Sequence, residues 1–304
     1  MFFGTPEWAV PSLLGLIAPD IDLVAVVTNP DRRAGRGLEE RPSPVKRTAA
    51  AAGIEVLQPK TVREAAFRER IEGLRPEIAC VVAYGKILPA DLLGVPPLGF
   101  VNAHFSLLPA YRGAAPVQWS LINGDRFTGI SIMVLTEGMD EGPLLAQEQM
   151  EIDPSDDAAT LGLRLAKSAA PLLVDTVRSY ASGGARPVPQ AQEGVSYAPK
   201  LSGDDVRIEW ARTSREIHNL IRGATPEPGA WTMFRGRRLK ITRSTLAGDS
   251  DLPAGVLRLE PGALLVGCGH GTLLLDQAQM QGKLPLSGAE LGRGLHLRSG
   301  DHLE

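Results

Sequence analysis

Asn102, His104 and Asp140 are the residues of this chain whose types and spacing suit chemistry at a carbonyl. Asn102 and His104 lie two positions apart in FVNAHFSLLPAYRGAAPVQ (100–118), at the end of an apolar run that stops in a turn containing Gly and Pro. Side chains at i and i+2 of a strand share a face, so the amide and the imidazole project together. An amide N–H stabilises a developing oxyanion. An imidazole, with an ordinary pKa of about 6.5, takes or gives a proton at neutral pH. The next apolar run, GISIMVL (129–135), leads into TEGMDEGPLL and places Asp140 on a Gly-rich turn past a strand end. A carboxylate at a neighbouring strand end can orient the imidazole and stabilise its charged form. Taken singly, the residues have plainer readings: a strand-end histidine is more often a hydrogen-bonded structural residue, and a turn aspartate is common. Together they make the stronger case for catalysis. No serine or cysteine elbow is present, so an amine substrate would bring its own nucleophile.

Such a set needs strands that end side by side. Four runs read as strands: IDLVAVV (21–27), IACVVAY (78–84), GFVNAHF (99–105) and GISIMVL (129–135). The segments PVKRTAAAAG, REAAFRERIEGL and APVQWSLIN between them read as helices. This alternation predicts a parallel sheet covered on both faces, whose carboxyl edge is the usual ligand crevice. The opening MFFGTPEWAV leaves only Met1 to Phe3 for a first strand, shorter than the usual length of about 5–6 residues. A long helix is predicted over 157–182, where Leu161, Leu165, Ala169, Leu172, Leu173 and Val177 recur at helical spacing. SGGARPVPQAQEG (182–194) reads as a linker. Beyond it, one helix (TSREIHNLIRGA, 213–224) precedes the short strand-like runs AWTMF, RRLKITRS, AGVLRLE, ALLVGCG and TLLLDQAQM, a pattern that predicts a small barrel. The expected class is α/β: a doubly wound, mostly parallel, Rossmann-like sheet over 1–183, a linker over 184–204, and an OB-like β-barrel over 205–304.

The composition, with 43% apolar and 22% charged residues in 304, is that of an ordinary globular protein. The longest apolar run, 78–85, is far short of the roughly 20 residues of a spanning helix, so no membrane partner is expected. Cys80 and Cys268 form no CxxC or Cys/His pattern, so no metal site and no disulfide framework is expected, and a cytoplasmic location fits. The net charge of −3 divides into −6 over 1–206 and +3 over 207–304, where 13 Lys/Arg face 10 Asp/Glu. That asymmetry permits a polyanionic partner for the C-terminal part.

NAHFSLLPAYRGAAPVQ followed by GISIMVLTEGMDEGPLL resembles the signature of the folate-dependent formyltransferases: an Asn, a His two residues later, an SLLP segment and an Asp in a Gly-x-Asp-x-Gly turn. FGTPEWAVPSL, TNPDRRAGRG…PSPVK, VVAYGKILP, YAPKLSGDDVRIEW and GTLLLDQAQMQGKLPLSGAELGRG extend the likeness over nearly the full chain. Within the family it is most similar to members that act on the methionine carried by initiator tRNA. The resemblance implies transfer of a formyl group from 10-formyltetrahydrofolate, with Asn102, His104 and Asp140 as the catalytic set. It implies folate contact along Ser106, Leu107, Leu108 and Pro109, with the pterin near Ile87, Leu88 and Gly138. It also implies tRNA contact by the loop over 29–44, through Arg32, Arg33, Arg36 and Arg41, and a monomeric protein. The chain departs from a lysine-rich loop at Glu39 and Glu40, with Arg41, Lys46 and Arg47 in compensation. In the C-terminal barrel, FRGRRLKITR gathers Arg235, Arg237, Arg238 and Lys240, read as a phosphate-tracking patch with Arg238 and Lys240 on one strand face. A solvated basic surface is the competing reading of both clusters. Other amines, such as a nucleotide-amino-sugar, or plain hydrolysis of the formyl folate, are the alternatives for the same three residues.

Overall fold

The structure, a computed structural model, describes residues 1–34, 39–249, 251–298 and 301–304. The chain forms two compact units: Met1–Pro116, Phe127–Glu151 and Gly162–Ala198 make the first, and Val117–Arg126, Ile152–Leu161 and Pro199–Glu304 make the second.

Up to residue 181 the elements run β1 (Phe2–Gly4), α1 (Val10–Leu16), β2 (Val26–Val27), β3 (Arg32–Ala34), β4 (Glu39–Arg41), α2 (Pro44–Ala51), β5 (Val56–Leu57), α3 (Ala65–Leu74), β6 (Ala79–Val82), α4 (Ala90–Leu93), β7 (Phe100–His104), α5 (Pro116–Ile122), β8 (Phe127–Val134), β9 (Leu144–Glu151) and α6 (Ala158–Ala181). The main sheet has the order β5-β2-β1-β6-β7-β8-β9. β5, β2, β1, β6 and β7 pair in parallel. The chain winds outward in one direction through β2 and β5 and in the other through β6 and β7, so the topological switch lies between β1 and β6. Gly4 and Val82 end side by side there.

Alternation divides the strand residues between two faces. Phe3, Val27, Val81 and Phe100 pack with Phe67 and Ile71 of α3 and Leu92 of α4 in one core cluster. Phe3 sits edge-on to Tyr84 and Phe100, at 5.4 and 5.2 Å between ring centroids, pairs worth about 0.5–1.5 kcal/mol each beyond their buried area. Phe2, Val26, Cys80 and Val101 turn to the opposite face and are equally buried. Burial pushes the Cys80 thiol up to about 11, which makes it a packing residue. The predicted strand over 21–27 shrinks to two residues, because β1 offers β2 only Phe2 and Phe3 as partners.

The second unit contains α7 (Ser214–Ala224), β10 (Ala230–Phe234), β11 (Arg237–Leu246), β12 (Leu257–Glu260), β13 (Ala263–Gly267), β14 (Thr272–Met280), β15 (Leu286–Ser287) and α8 (Gly288–Gly294). The antiparallel order is β10-β11-β14-β13-β12, with β15 on β14. The two ends of that sheet are joined through residues 301–304. Glu304 exchanges both backbone hydrogen bonds with Met233 of β10, while Leu303 N–H donates to Gly255 O and Leu257 N–H to Asp301 O. This closure makes the expected barrel. A capping box between Thr213 and Glu216 starts α7, which adds Ile217 and Ile221 to a core with Leu239, Ile241 and Leu273. Among the described residues no helix is long and apolar enough to cross a membrane.

Candidate active site

β7 carries Asn102 and His104 on one face, next to the carboxyl end of β6, with Val81 paired to Asn102. Asn102 is half-buried, and its side-chain amide has no hydrogen-bond partner among the described residues. It is available to a ligand. His104 is 6% exposed. Its Nε2 lies 2.9 Å from the Tyr111 carbonyl. A carbonyl only accepts, so Nε2 carries the proton of the neutral ring and Nδ1 holds the lone pair. Nδ1 faces Asp140 Oδ2 at 3.7 Å.

Asp140 reaches that position by a different route from the one its sequence suggests. β8 is antiparallel to β7, with Val134 opposite Val101 and Ser131 opposite His104. The exit of β8 therefore lies about 10 Å, three strand residues, from the histidine. It does not adjoin the end of β7 that carries His104. The β8–β9 connection, 135–143, folds back to deliver the carboxylate. Gly142 makes the return possible: a Cβ there would stand 1.8 Å from the Val134 carbonyl oxygen. Asp140 has φ 50°, in the left-handed region, and its Oδ2 accepts the Gly113 N–H at 2.8 Å.

The SLLP turn is held from below by two residues that the sequence reading passed over. Ser131 Oγ donates to Ser106 O at 2.7 Å and accepts Leu108 N–H at 3.0 Å. Gln147 Nε2 donates to Leu108 O at 2.9 Å and to Ser131 Oγ at 2.8 Å. Gly129 lets the turn approach the sheet, since a Cβ there would meet Leu107 Cδ2 at 2.5 Å. Ser106 and Leu108 are buried, and Ser106 Oγ donates to Ala110 O at 2.6 Å, so only Leu107 and Pro109 of the turn are partly exposed. The segment after β6 leaves the sheet at the same edge. In it Leu88 is buried in the core and Ile87 is 74% exposed. Gly138 is half-buried beside Met139, which is 59% exposed. Exposed apolar side chains on these two loops, with an unpartnered amide on β7, suit a flat, partly apolar ligand. Tyr84, near this edge, has its hydroxyl pushed up to about 12 by burial, so it serves as packing rather than as an acid or base.

β3 and β4 pair antiparallel, with Arg32 opposite Arg41, Arg33 opposite Glu40 and Ala34 opposite Glu39. Arg36 lies outside the described residues. Arg41 is exposed. The segment leading into β3 is pinned: Asn29 Nδ2 donates to Thr5 Oγ1 and Tyr84 O, and Gln58 Nε2 to Asn29 O and Asp31 Oδ1. Lys46, expected as a compensating cation, is bound to Asp31 at 2.5 Å. Its hydrogen bond and that of Gln58 hold the Asp31 carboxyl below the usual carboxylate range.

The four barrel cations separate. Leu239 and Ile241 are buried, and Arg238 and Lys240 turn outward between and before them. The Arg238 guanidinium stacks 3.9 Å from the Trp231 ring centroid, with Arg207 over the same ring at 5.6 Å. Arg237 is exposed and donates to Gln281 O at 3.2 Å. Arg235 instead forks onto Asp301, at 3.2 and 2.5 Å, and donates to Leu295 O.

Family models for formyl transferase match residues 1–177, and for the formyl transferase C-terminal domain residues 200–296. The chain belongs to the formyl transferase family. Among the relatives of this formyl transferase, the methionyl-tRNA formyltransferase of Pelotomaculum thermopropionicum is 44% identical over 304 residues, covering 99% of this chain and 96% of that protein. That of Thermobifida fusca is 45% identical over 302 residues, covering 99% and 97%. A solved N-formyltransferase from Helicobacter canadensis, in complex with folinic acid and dTDP-3-aminofucose, shares the fold with a TM-score of 0.69 and 19% identity, over 92% of this chain and 98% of that one.

Proposed function

We propose that this formyl transferase moves the formyl group of 10-formyltetrahydrofolate onto the amino group of methionine esterified to initiator tRNA, for translation initiation in the cytoplasm, and that it acts as a monomer. The observation that carries this reading is the end-to-end similarity, at 44% identity, to methionyl-tRNA formyltransferases. Residues 1–183 hold the chemistry, 184–204 connect, and 205–304 bind tRNA in this reading.

The folate supplies a formyl carbon bonded to nitrogen, and the aminoacyl-tRNA supplies the attacking amine. Asn102 donates its free N–H to the oxygen that gathers negative charge as the amine adds. His104, with Nε2–H held by Tyr111, takes the amine proton on Nδ1. The imidazolium that results lies beside the Asp140 carboxylate, whose orientation Gly113 N–H fixes. As the tetrahedral adduct collapses, the bond from the formyl carbon to N10 of the folate breaks and the imidazolium returns the proton to N10, leaving tetrahydrofolate and the formylated amine. Leu107, Pro109, Ile87, Leu88 and Gly138 line the folate side, with Ser106 and Leu108 shaping the turn from within. Arg32, Arg33, Arg36 and Arg41, with Arg237, Arg238 and Lys240, contact tRNA phosphates. Arg235, committed to Asp301, organises the barrel and leaves the phosphates to the others.

The test is mass spectrometry of methionyl-tRNA after incubation with the protein and 10-formyltetrahydrofolate, beside a parallel reaction with a nucleotide-amino-sugar. One added formyl group on the methionine is expected, and none on the sugar. Formylation of the sugar alone, or formate release without transfer, would refute the reading.

A further inference from the structure

We infer that Gln190 is a positioning residue for the His104–Asp140 pair, tying the two loops that flank it into one rigid piece. The inference rests on the formyl-transfer reading of that pair given above.

Gln190 comes from the Gly- and Pro-containing stretch whose sequence suggests a linker. It is 7% exposed, and all four hydrogen-bonding functions of its amide are used. Nε2 donates one proton to Asp140 O and the other to Gly142 O, both at 2.8 Å. Oε1 accepts the Arg112 guanidinium at Nε (3.2 Å) and Nη2 (2.7 Å). Arg112 is itself buried, and it stands between the two backbone groups that hold the pair: Tyr111 O on His104 Nε2, and Gly113 N–H on Asp140 Oδ2. One amide therefore grips the loop that carries Asp140 and the loop that orients both members.

The grip has a purpose that packing alone does not explain. Asp140 sits at φ 50°, a left-handed conformation that a non-glycine residue keeps only where the surroundings over-determine it. The two carbonyls that Gln190 holds belong to Asp140 and to the glycine two residues on. Gln190 in turn is anchored on both sides. Val188 and Leu144 exchange both backbone hydrogen bonds, and Arg112 exchanges its own with Ser196 and Ala198. A fully satisfied buried network of this kind fixes one geometry rather than merely adding stability.

Gln190→Glu separates the roles. It keeps an oxygen for Arg112 but turns an acceptor toward two carbonyl oxygens. In the full chain, kcat for methionyl-tRNA formylation should fall about 10- to 100-fold, with KM for both substrates within about twofold. The independent readout is the ¹⁵N NMR of the imidazole rings. Five histidines are present, and His104→Ala assigns the signal wanted. Wild type should show a single Nε2–H tautomer, and Gln190→Glu a broadened or mixed one. Unchanged kcat with an unchanged His104 signal in folded Gln190→Glu overturns the inference, as does a loss confined to KM. If circular dichroism shows Gln190→Glu unfolded, Arg112→Lys, which loses the fork onto Oε1, is expected to lower kcat and broaden the same signal; retention of both overturns the inference. A wild-type protein that formylates no methionyl-tRNA refutes the functional reading, while the ring signals still decide whether Gln190 orients His104.

Discussion

Strand β8 contains two buried hydroxyls with opposite roles, and substituting each in turn measures what a hydrogen bond to the SLLP turn contributes. Ser131 is fully buried and makes three hydrogen bonds: to Ser106 O, from Leu108 N–H and from Gln147 Nε2. Thr128, three residues earlier and 3% exposed, has a hydroxyl with no partner among the described residues. Ser131→Ala strands two buried backbone groups, Leu108 N–H and Ser106 C=O. At roughly 1–3 kcal/mol for each orphan the cost is about 2–6 kcal/mol. For a unit of this size that lowers the melting temperature by roughly 4–24 °C. Thr128→Val removes a hydroxyl that is already unsatisfied and keeps its shape, so it should leave the melting temperature unchanged or raise it. Differential scanning calorimetry at pH 7 gives both numbers, and steady-state kinetics adds a second reading: the folate KM rises in Ser131→Ala, because Leu107 and Pro109 ride on the same turn, and stays at the wild-type value in Thr128→Val. If Ser131→Ala melts within about 1–2 °C of wild type, the hydroxyl does not hold the turn and the reasoning is wrong.

Arg238→Ala should weaken tRNA binding and reduce the salt slope by about 1, as expected for one lost phosphate contact, whereas Arg235→Ala should lower the melting temperature and leave the slope alone; filter binding across a salt series separates them, and equal slopes would contradict the division. His218 is held below its ordinary pKa, first by burial and then by Arg222 and Arg215. The unfolded state therefore binds the proton more readily: stability is full above about pH 6.5 and falls as the pH drops toward the folded value. Melting curves from pH 7.5 to 5 should show a steeper loss in wild type than in His218→Gln; parallel curves would exclude this residue as the source.

The parts of the fold visible in the sequence were those whose burial is two-sided. The run at 78–84 is apolar throughout and that at 99–105 is apolar apart from Asn102 and His104, and they become β6 and β7 at the centre of the sheet. The long helix, with its apolar stripe from Leu161 to Val177, falls within one residue of the expected bounds at each end. The edge strand β9, LLAQEQME, is half-exposed, and its apolar residues cluster at the start instead of alternating. Without it nothing indicated that β8 runs antiparallel, because an apolar run encodes burial and not direction. Asn102, His104 and Asp140 were legible because their types are unusual beside an apolar strand and a glycine turn. Ser131, Gln147, Arg112 and Gln190 were not. A serine inside a strand and a glutamine after a proline have no pattern of their own, and their significance comes from which carbonyls the fold brings to them.

The most direct test of the His104–Asp140 pair is the single-turnover rate of formyl transfer in Asp140→Asn, with both substrates saturating. The amide keeps an oxygen for Gly113 N–H and removes the charge that faces His104. If the carboxylate supports proton transfer through His104, the rate falls about 10²- to 10⁴-fold while tRNA affinity stays at the wild-type value. A rate within about threefold of wild type would contradict it.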